Sequence, residues 1–398
     1  MGIEKITGGL EHIAGLSCAG VHGGFRKNPE RLDFALIYLD QGAKASATFT
    51  RNVFCAAPVQ LSRAHLLQSQ GRVRAIAINS GNANAATGAT GLAVAEHSAA
   101  IAAQVLDCAE EEVLVASTGV IGQQLDAALF DHSLPLAKAA LAEGSAAAAA
   151  AAAEAIMTTD THPKYAAYDC GGFKVAGMAK GSGMIQPDMA TMLAVVATDA
   201  AVAPSDLQIA FKSAVADSFN RVTIDSDTST NDSAFCLATG KARSANQAEL
   251  TAALLMLCQD LALQIARDGE GATKLITVKL KGAASAADAD LAARAVANSP
   301  LVKTAVYGHD ANWGRIAMAV GKSGALFKQE AVNIDIMGIP VCRRGLAVDF
   351  DEEQALGLFE HNDEIVLDID LGAGDQSATI WSCDLSHDYI KINADYRT

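Results

Sequence analysis

Seven short apolar or alternating runs, each bounded by turn residues, limit what this chain can fold into: Phe34 to Leu39, Val73 to Ile78, Val113 to Ala116, Met192 to Ala197, Ile276 to Leu280, Val332 to Ile336 and Ile365 to Leu371. Their length and period are those of strands. In the fifth run Ile276, Val278 and Leu280 alternate with Thr277 and Lys279, which places one face in a core and the other toward water. Helical patterns lie between the runs, at Leu92 to Leu106, Ser205 to Phe219 and Leu250 to Ile265, the last with Leu254, Leu257, Leu261 and Ile265 on one stripe. Pro204-Ser205-Asp206 opens the second of these, and Asp268-Gly269 closes the third near Ala266. The class is therefore α/β or α+β. No repeat at a fixed period and no Ser/Pro-rich linker interrupts the pattern.

A length of 398 residues fits two domains or one large α/β core. With 51% hydrophobic and 19% charged residues a disordered chain is excluded, and aromatics at 5% leave Ala, Val, Leu and Ile to build the interior. The net charge of −15 repels nucleic-acid phosphates and anionic lipid while leaving room for a small substrate in a locally basic pocket. The eight cysteines stand far apart without a CxxC pair, which reads as reduced, mostly buried thiols. The opening residues lack a basic segment leading into an apolar one, so no signal peptide is expected and a cytoplasmic location follows as the default. No unbroken apolar stretch of about 20 residues is present, and the Ala146 to Ala153 run, flanked by Glu143 and Glu154, reads as a helix former.

Familiar motifs fail on spacing. Gly321-Lys322-Ser323 has Ile316 where a phosphate loop needs its first Gly, and Gly181-Ser182-Gly183 lacks the third Gly of a dinucleotide fingerprint. The nine histidines form no HExxH or HxH and pair with no Cys at ligand spacing, so no metal is expected. Asn231-Asp232-Ser233 matches a glycosylation triplet by chance. Four polar, Gly-rich segments remain: Asn79 to Ala85, Ser117 to Gly122, Asp225 to Asp232 and Gly308 to Arg315. Each alone is an ordinary turn; together they point to a polar cleft at strand ends, where a rigid sheet fixes exposed groups.

The stretch Lys180-Gly181-Ser182-Gly183-Met184-Ile185-Gln186-Pro187-Asp188-Met189-Ala190-Thr191-Met192-Leu193-Ala194, running on to Thr198-Asp199-Ala200, resembles the self-cleavage segment of the ornithine acetyltransferases, the glutamate N-acetyltransferase family of arginine biosynthesis. Further ordered matches are Phe49-Thr50-Arg51-Asn52, Ala56-Ala57-Pro58-Val59, Met157-Thr158-Thr159-Asp160-Thr161, Asp268 to Lys274, Asp310 to Arg315 and Asn393 to Thr398, which together cover essentially the whole chain. Two departures are Ala86, where the family often has Cys, and Asp188, where it often has Asn.

The resemblance implies that the Ala190–Thr191 bond is cut, giving segments 1–190 and 191–398, and that Thr191 becomes the nucleophile. A Thr at a new amino terminus carries its own base, since an α-amine pKa of about 7.7–8.0 leaves a neutral fraction near pH 7. Cleavage itself must begin with the Thr191 hydroxyl attacking the Ala190 carbonyl, an N-to-O acyl shift followed by ester hydrolysis. Gly181, Gly183 and Pro187 are expected to hold that bond in a strained turn. By similarity Thr118 and Gly119 receive the oxyanion, although a Thr-Gly turn with a local hydrogen bond accounts for the pair equally well. Thr158 or Thr159, Lys180, Thr191, Glu270, Asn393 and Thr398 line the substrate pocket, Glu270 and the Thr398 carboxylate meeting ammonium groups and Lys180 a carboxylate.

The reaction so implied moves acetyl from N2-acetylornithine to glutamate in a ping-pong cycle without a cofactor, with acetyl-CoA a second candidate donor. The implied fold is an α/β class, layered α-β-β-α sandwich whose structural domains share both segments, assembled as an α2β2 heterotetramer. Two rivals come from other classes: a self-processing aminopeptidase or amidase whose acyl-enzyme goes to water, and a non-catalytic small-molecule binding protein that never cuts itself.

Overall fold

The structure, a computed structural model, describes residues 2–186 and 192–395. Ala190, Thr191 and Thr398, with Pro187 and Asp188, lie outside the described residues. The chain forms two units, one built from 2–220 and 228–265, the other from 221–227 and 266–395. Unit one therefore takes residues from both sides of the Ala190–Thr191 bond.

Unit one holds a ten-stranded mixed sheet: β1 (Glu4–Ile6), β2 (Ser17–Val21), β3 (Phe34–Phe49), β4 (Arg72–Asn82), β5 (Val113–Val120), β6 (Ala142–Glu143), β7 (Lys164–Asp169), β8 (Lys174–Lys180), β9 (Leu193–Thr198) and β10 (Ser233–Ala238). The order is β1-β7-β8-β9-β10-β3-β2-β6, with β4 also on β3 and β5 on β4. The long β3 joins two arms, because Phe34 to Tyr38 pair with β4 while Lys44 to Phe49 pair with β10. Between them the register slips, and Gly42 there takes a φ of +73°. A bulge of this kind bends and twists a strand.

The bend lets inner faces of the two arms share a core. Ile76, Ile78, Leu114 and Ala116 of β4 and β5 pack in one cluster with Met178, Val195, Ala197, Phe235 and Leu237 of β8 to β10. The alternate residues Ala75, Ala77, Val113 and Val115 face the other way. They pack on α1 (Ala57–Gln68), α2 (Gly88–Leu106) and α3 (Ala128–Ala140). The alanine run is α4 (Ala146–Ala155), capped by the Ser145 hydroxyl, and its buried Ala149, Ala152 and Ala153 join the inner core. On the remaining side lie α5 (Pro204–Ala216) and α6 (Gln247–Arg267), where Tyr168 of β7 donates to Asp260 of α6 at 2.9 Å. The unit is an α-β-β-α sandwich. Among the described residues α6 is the one helix long and apolar enough to cross a membrane, and its stripe of Leu250, Leu254, Leu257, Leu261 and Ile265 is buried core.

Unit two has six strands, β11 (Leu275–Ala283), β12 (Asn333–Ile336), β13 (Ile339–Arg343), β14 (Leu346–Ala347), β15 (Glu364–Asp370) and β16 (Gln376–Cys383), ordered β14-β13-β12-β15-β11-β16. Its helices are α7 (Ala286–Ala297), α8 (Pro300–Tyr307), α9 (Trp313–Gly321), α10 (Glu352–His361) and α11 (His387–Asp395). Ile276, Val278 and Leu280 face a core with Ala289, Ala292, Ala293 and Val296 of α7. Lys279 faces water as the alternation requires, but Thr277 is buried, its hydroxyl donating to Glu364 at 2.6 Å.

Two segments expected as loops are strand instead. Asn79 to Asn82 finish β4 and Ser117 to Val120 finish β5, pairing in parallel with Ser80 opposite Thr118. Polarity does not end these strands because the Ser117 hydroxyl donates to Asn79 Oδ1 at 2.6 Å, satisfying both side chains in the ladder. All eight cysteines are free thiols, six of them buried.

Candidate active site

Strand parity assembles the site. Side chains two residues apart share a face, so Thr118 follows Leu114 and Ala116 inward, and Lys180 follows Ala176 and Met178 inward. Both stand at the last residues of their strands, at the end of the inner core. There Lys180 Nζ donates to Thr118 Oγ1 at 3.3 Å, with both residues buried. A hydroxyl that accepts from an ammonium is polarised and keeps its own proton for a third partner. Leu193 faces the same core, two residues after position 191.

Gly119, next in β5, has a φ of +132°. A Cβ there would lie 2.3 Å from the Gly81 carbonyl carbon and 2.6 Å from Asn82 N, so no other residue fits without moving β4. The segment beyond Lys180 is also unusual in backbone: Gly181 takes a φ of +155° and Met184, a non-glycine, +55°. It is tied down where Thr228 Oγ1 donates to the Gln186 carbonyl at 2.9 Å.

Asp160 organises the loop between α4 and β7. Its Oδ1 accepts from Lys164 Nζ and from the Gly181 amide, each at 2.7 Å, and its Oδ2 accepts from the Thr158 amide at 2.9 Å. Thr159 is anchored separately, its hydroxyl 2.6 Å from that of Ser182. Burial by itself raises the carboxyl pKa of Asp160, but the charges of Lys180 and Lys164 and the hydrogen bonds to it outweigh burial and hold it well below the usual carboxylate range. Lys180 is pushed below the ordinary lysine value by burial first, with Asp160 opposing and Lys164 adding to the fall.

Of the four polar segments, two and the 228–232 part of a third meet in unit one. Asn231 donates from Nδ2 to the Ala83 carbonyl at 2.5 Å and the Ser117 carbonyl at 2.8 Å, fastening the ends of β4 and β5 to the segment entering β10. The fourth, Gly308 to Arg315, belongs to unit two, where the Asn312 side chain caps α9. Beside Asn231, Asp232 is buried, and its Oδ2 has no hydrogen-bond partner among the described residues. Burial pushes its carboxyl well above the usual range, against the pull of Ser229, Lys180 and Thr50. A carboxyl raised on folding adds stability fully below its unfolded pKa of about 4 and loses it as pH rises through the folded value. Asp232→Asn removes that loss. Denaturant midpoints at pH 5 and pH 8 are expected to move in favour of the variant at the higher pH; a gap independent of pH refutes the assignment.

Glu270 and Asn393, far apart in sequence, are brought together in unit two, where Asn393 Nδ2 donates to Glu270 Oε2 at 2.7 Å. The C-terminal helix α11 docks beside this loop, with Ser386 Oγ donating to the Gly271 carbonyl at 2.6 Å. Thus Thr118, Gly119, Thr158, Thr159 and Lys180 gather in unit one and Glu270 with Asn393 in unit two. Asp160 and Lys164 were assigned no role by sequence reasoning, although Asp160 lies inside the quoted Met157 to Thr161 match and four residues before Lys164, and Asn231 and Asp232 entered it only as members of the polar Asp225 to Asp232 segment and of a chance glycosylation triplet.

The model of the ArgJ family matches residues 17–398. The arginine biosynthesis bifunctional protein ArgJ of Chlorobaculum tepidum is 47% identical over 393 residues, covering 96% of each chain. That of Bradyrhizobium diazoefficiens is 45% identical, covering 97% of this chain and 96% of its own. Among solved structures, ornithine acetyltransferase complexed with ornithine from Mycobacterium tuberculosis is 35% identical over 47% of this chain and 99% of its own, with a TM-score of 0.44. With a family model spanning nearly the whole chain and relatives this similar along their full length, the chain belongs to the ArgJ family.

Proposed function

We propose that this protein is an acyltransferase of arginine biosynthesis that cuts itself before Thr191 and carries acetyl from N2-acetylornithine to glutamate on the Thr191 hydroxyl. Family membership supports the reaction class, and the contact of Lys180 with Thr118 beside the Gly119 backbone is the observation that carries the site. Thr191 Oγ attacks the acetyl carbonyl carbon while its α-amine takes the hydroxyl proton. The oxygen of the tetrahedral species gains charge, and the Thr118 hydroxyl with the Gly119 amide supplies donors for it. Collapse breaks the C–N bond, the proton returns to the departing amine, and ornithine leaves an acetyl ester on Thr191. The neutral amine of glutamate then attacks that ester and regenerates the enzyme.

A charged Lys180 binds a substrate carboxylate by a charge-assisted hydrogen bond, and the Glu270 carboxylate, held by Asn393, suits a substrate ammonium. The C-terminal Thr398 carboxylate adds a second anion for the same purpose. Acetyl-CoA is a second donor in this reading, consistent with the bifunctional relatives, and the two segments assemble as α2β2.

The test follows labelled acetyl from N2-acetylornithine in the presence of glutamate and no coenzyme A. Labelled N-acetylglutamate is the expected product; labelled acetate alone favours the amidase rival, and no turnover favours the binding protein. Thr118→Ala is expected to lower kcat on the order of 10²–10³-fold, the usual cost of one oxyanion donor, with KM changed far less. A KM effect in place of a kcat effect makes Thr118 a substrate-binding group instead.

A further inference from the structure

Four charged side chains and one hydroxyl act on the Lys180 ammonium: Asp160, Lys164, Asp232, Arg26 and the Thr118 hydroxyl. Two of the four are carboxyls. Burial pushes the Asp232 carboxyl well above the usual carboxylate range, whereas the lysine charges and hydrogen bonds hold Asp160 well below it. Lys180 and Lys164 thus both act on the Asp160 carboxylate, and an ammonium has the sign of charge that an incoming carboxylate needs. Asp160 is also bonded to the backbone at two points of the site, through the amides of Thr158 and Gly181.

We propose that Asp160 is a positioning residue for substrate binding: its buried carboxylate fixes Thr158 and the Lys180–Gly181 turn and sets a negative charge near the Lys180 ammonium, so that this ammonium is placed to hold a substrate carboxylate. This rests on the acetyl-transfer reading for the identity of the substrate and on the geometry of unit one for everything else. Lys164 works against Lys180 in this arrangement. Its Nζ is fully buried on the same Asp160 oxygen that accepts from Gly181, so it shares the one negative charge and adds a positive one.

The opposed signs make the test. In uncut or mature full-length protein carrying carbon-13-labelled lysine, the Lys180 side-chain resonance, assigned from a Lys180→Gln sample, is followed against pH. Asp160→Asn is expected to lower its titration midpoint by about one pH unit, Lys164→Met to raise it, and Asp160→Glu to restore the wild-type value, in keeping with the effect of a neighbouring charge. In the transfer assay Asp160→Asn is expected to raise KM for glutamate at least tenfold more at pH 8 than at pH 6, with kcat changed less, because the lost interaction is one of binding.

Equal midpoints in all variants, or shifts of the same sign in Asp160→Asn and Lys164→Met, overturn the proposal and leave Asp160 a purely structural residue. If Asp160→Asn does not fold, Lys164→Met carries the test, and an unmoved or lowered midpoint there overturns it. A wild-type protein that transfers no acetyl group refutes the proposed function, while the titrations still decide the role of Asp160.

Discussion

Thr191→Ala is expected to remain a single chain of 398 residues under denaturing conditions, while the wild type separates into segments 1–190 and 191–398. The substitution removes the only hydroxyl at the proposed bond, so neither the acyl shift nor the later acetyl ester can form. Acetyl transfer should fall on the order of 10⁴-fold or more, the scale seen when the attacking member of a nucleophile–base pair is deleted. Thr191→Ser keeps a hydroxyl and should retain cleavage at a lower rate. Intact mass read beside the transfer assay checks both statements. A cut Thr191→Ala chain places the nucleophile elsewhere, and a wild type that stays uncut removes the α-amine base from the scheme.

The second large effect is expected from Gly119→Ala. Two independent features of β5 resist it: a φ of +132°, which side-chain-bearing residues rarely adopt, and main-chain atoms of Gly81 and Asn82 at 2.3 and 2.6 Å from the new methyl. Neither neighbour can swing aside as a flexible side chain would, because both belong to the parallel β4–β5 ladder. A loss of about 3–5 kcal/mol is expected, in the range reserved for backbone strain and overpacking combined. It would be read as a lowered denaturant midpoint with an unchanged slope. Protein that still folds should transfer acetyl poorly, since displacement of the strand end moves the Gly119 amide and Thr118 together. Thr118→Ser, which adds no strain, is expected to keep wild-type stability. A Gly119→Ala variant as stable and active as wild type shows that this strand end yields readily and removes Gly119 from the oxyanion site.

The strands and helices were legible because their signal is local. Ile276, Val278 and Leu280 and the stripe on α6 announce their buried faces through period alone, and the alanine run forms α4 as helix propensity requires. The ends of β4 and β5 were not legible. Asn79, Ser80, Ser117 and Thr118 read as turn residues one at a time, and become strand only because each finds a partner on the neighbouring strand. Asp160 shows the same limit from the side of chemistry. An acidic residue in a polar loop carries no mark that it will be buried with Lys164 and receive the amides of Thr158 and Gly181.

What the sequence by itself determined is the class of the fold, the helical and strand faces, and, through one ordered set of motifs, the family and the residues to watch. What only the tertiary structure decided is which of those residues meet. The bulge in β3 folds one arm of the sheet over the other, and that fold sets Thr118 of β5 3.3 Å from Lys180 of β8. It also shifts two carboxyls near the same ammonium in opposite directions, because Asp160 is compensated by cations and amides while one Asp232 oxygen has no hydrogen-bond partner among the described residues. Periodicity acts over a few residues, whereas contact across strands and the loss of water around a charge depend on where the whole sheet turns.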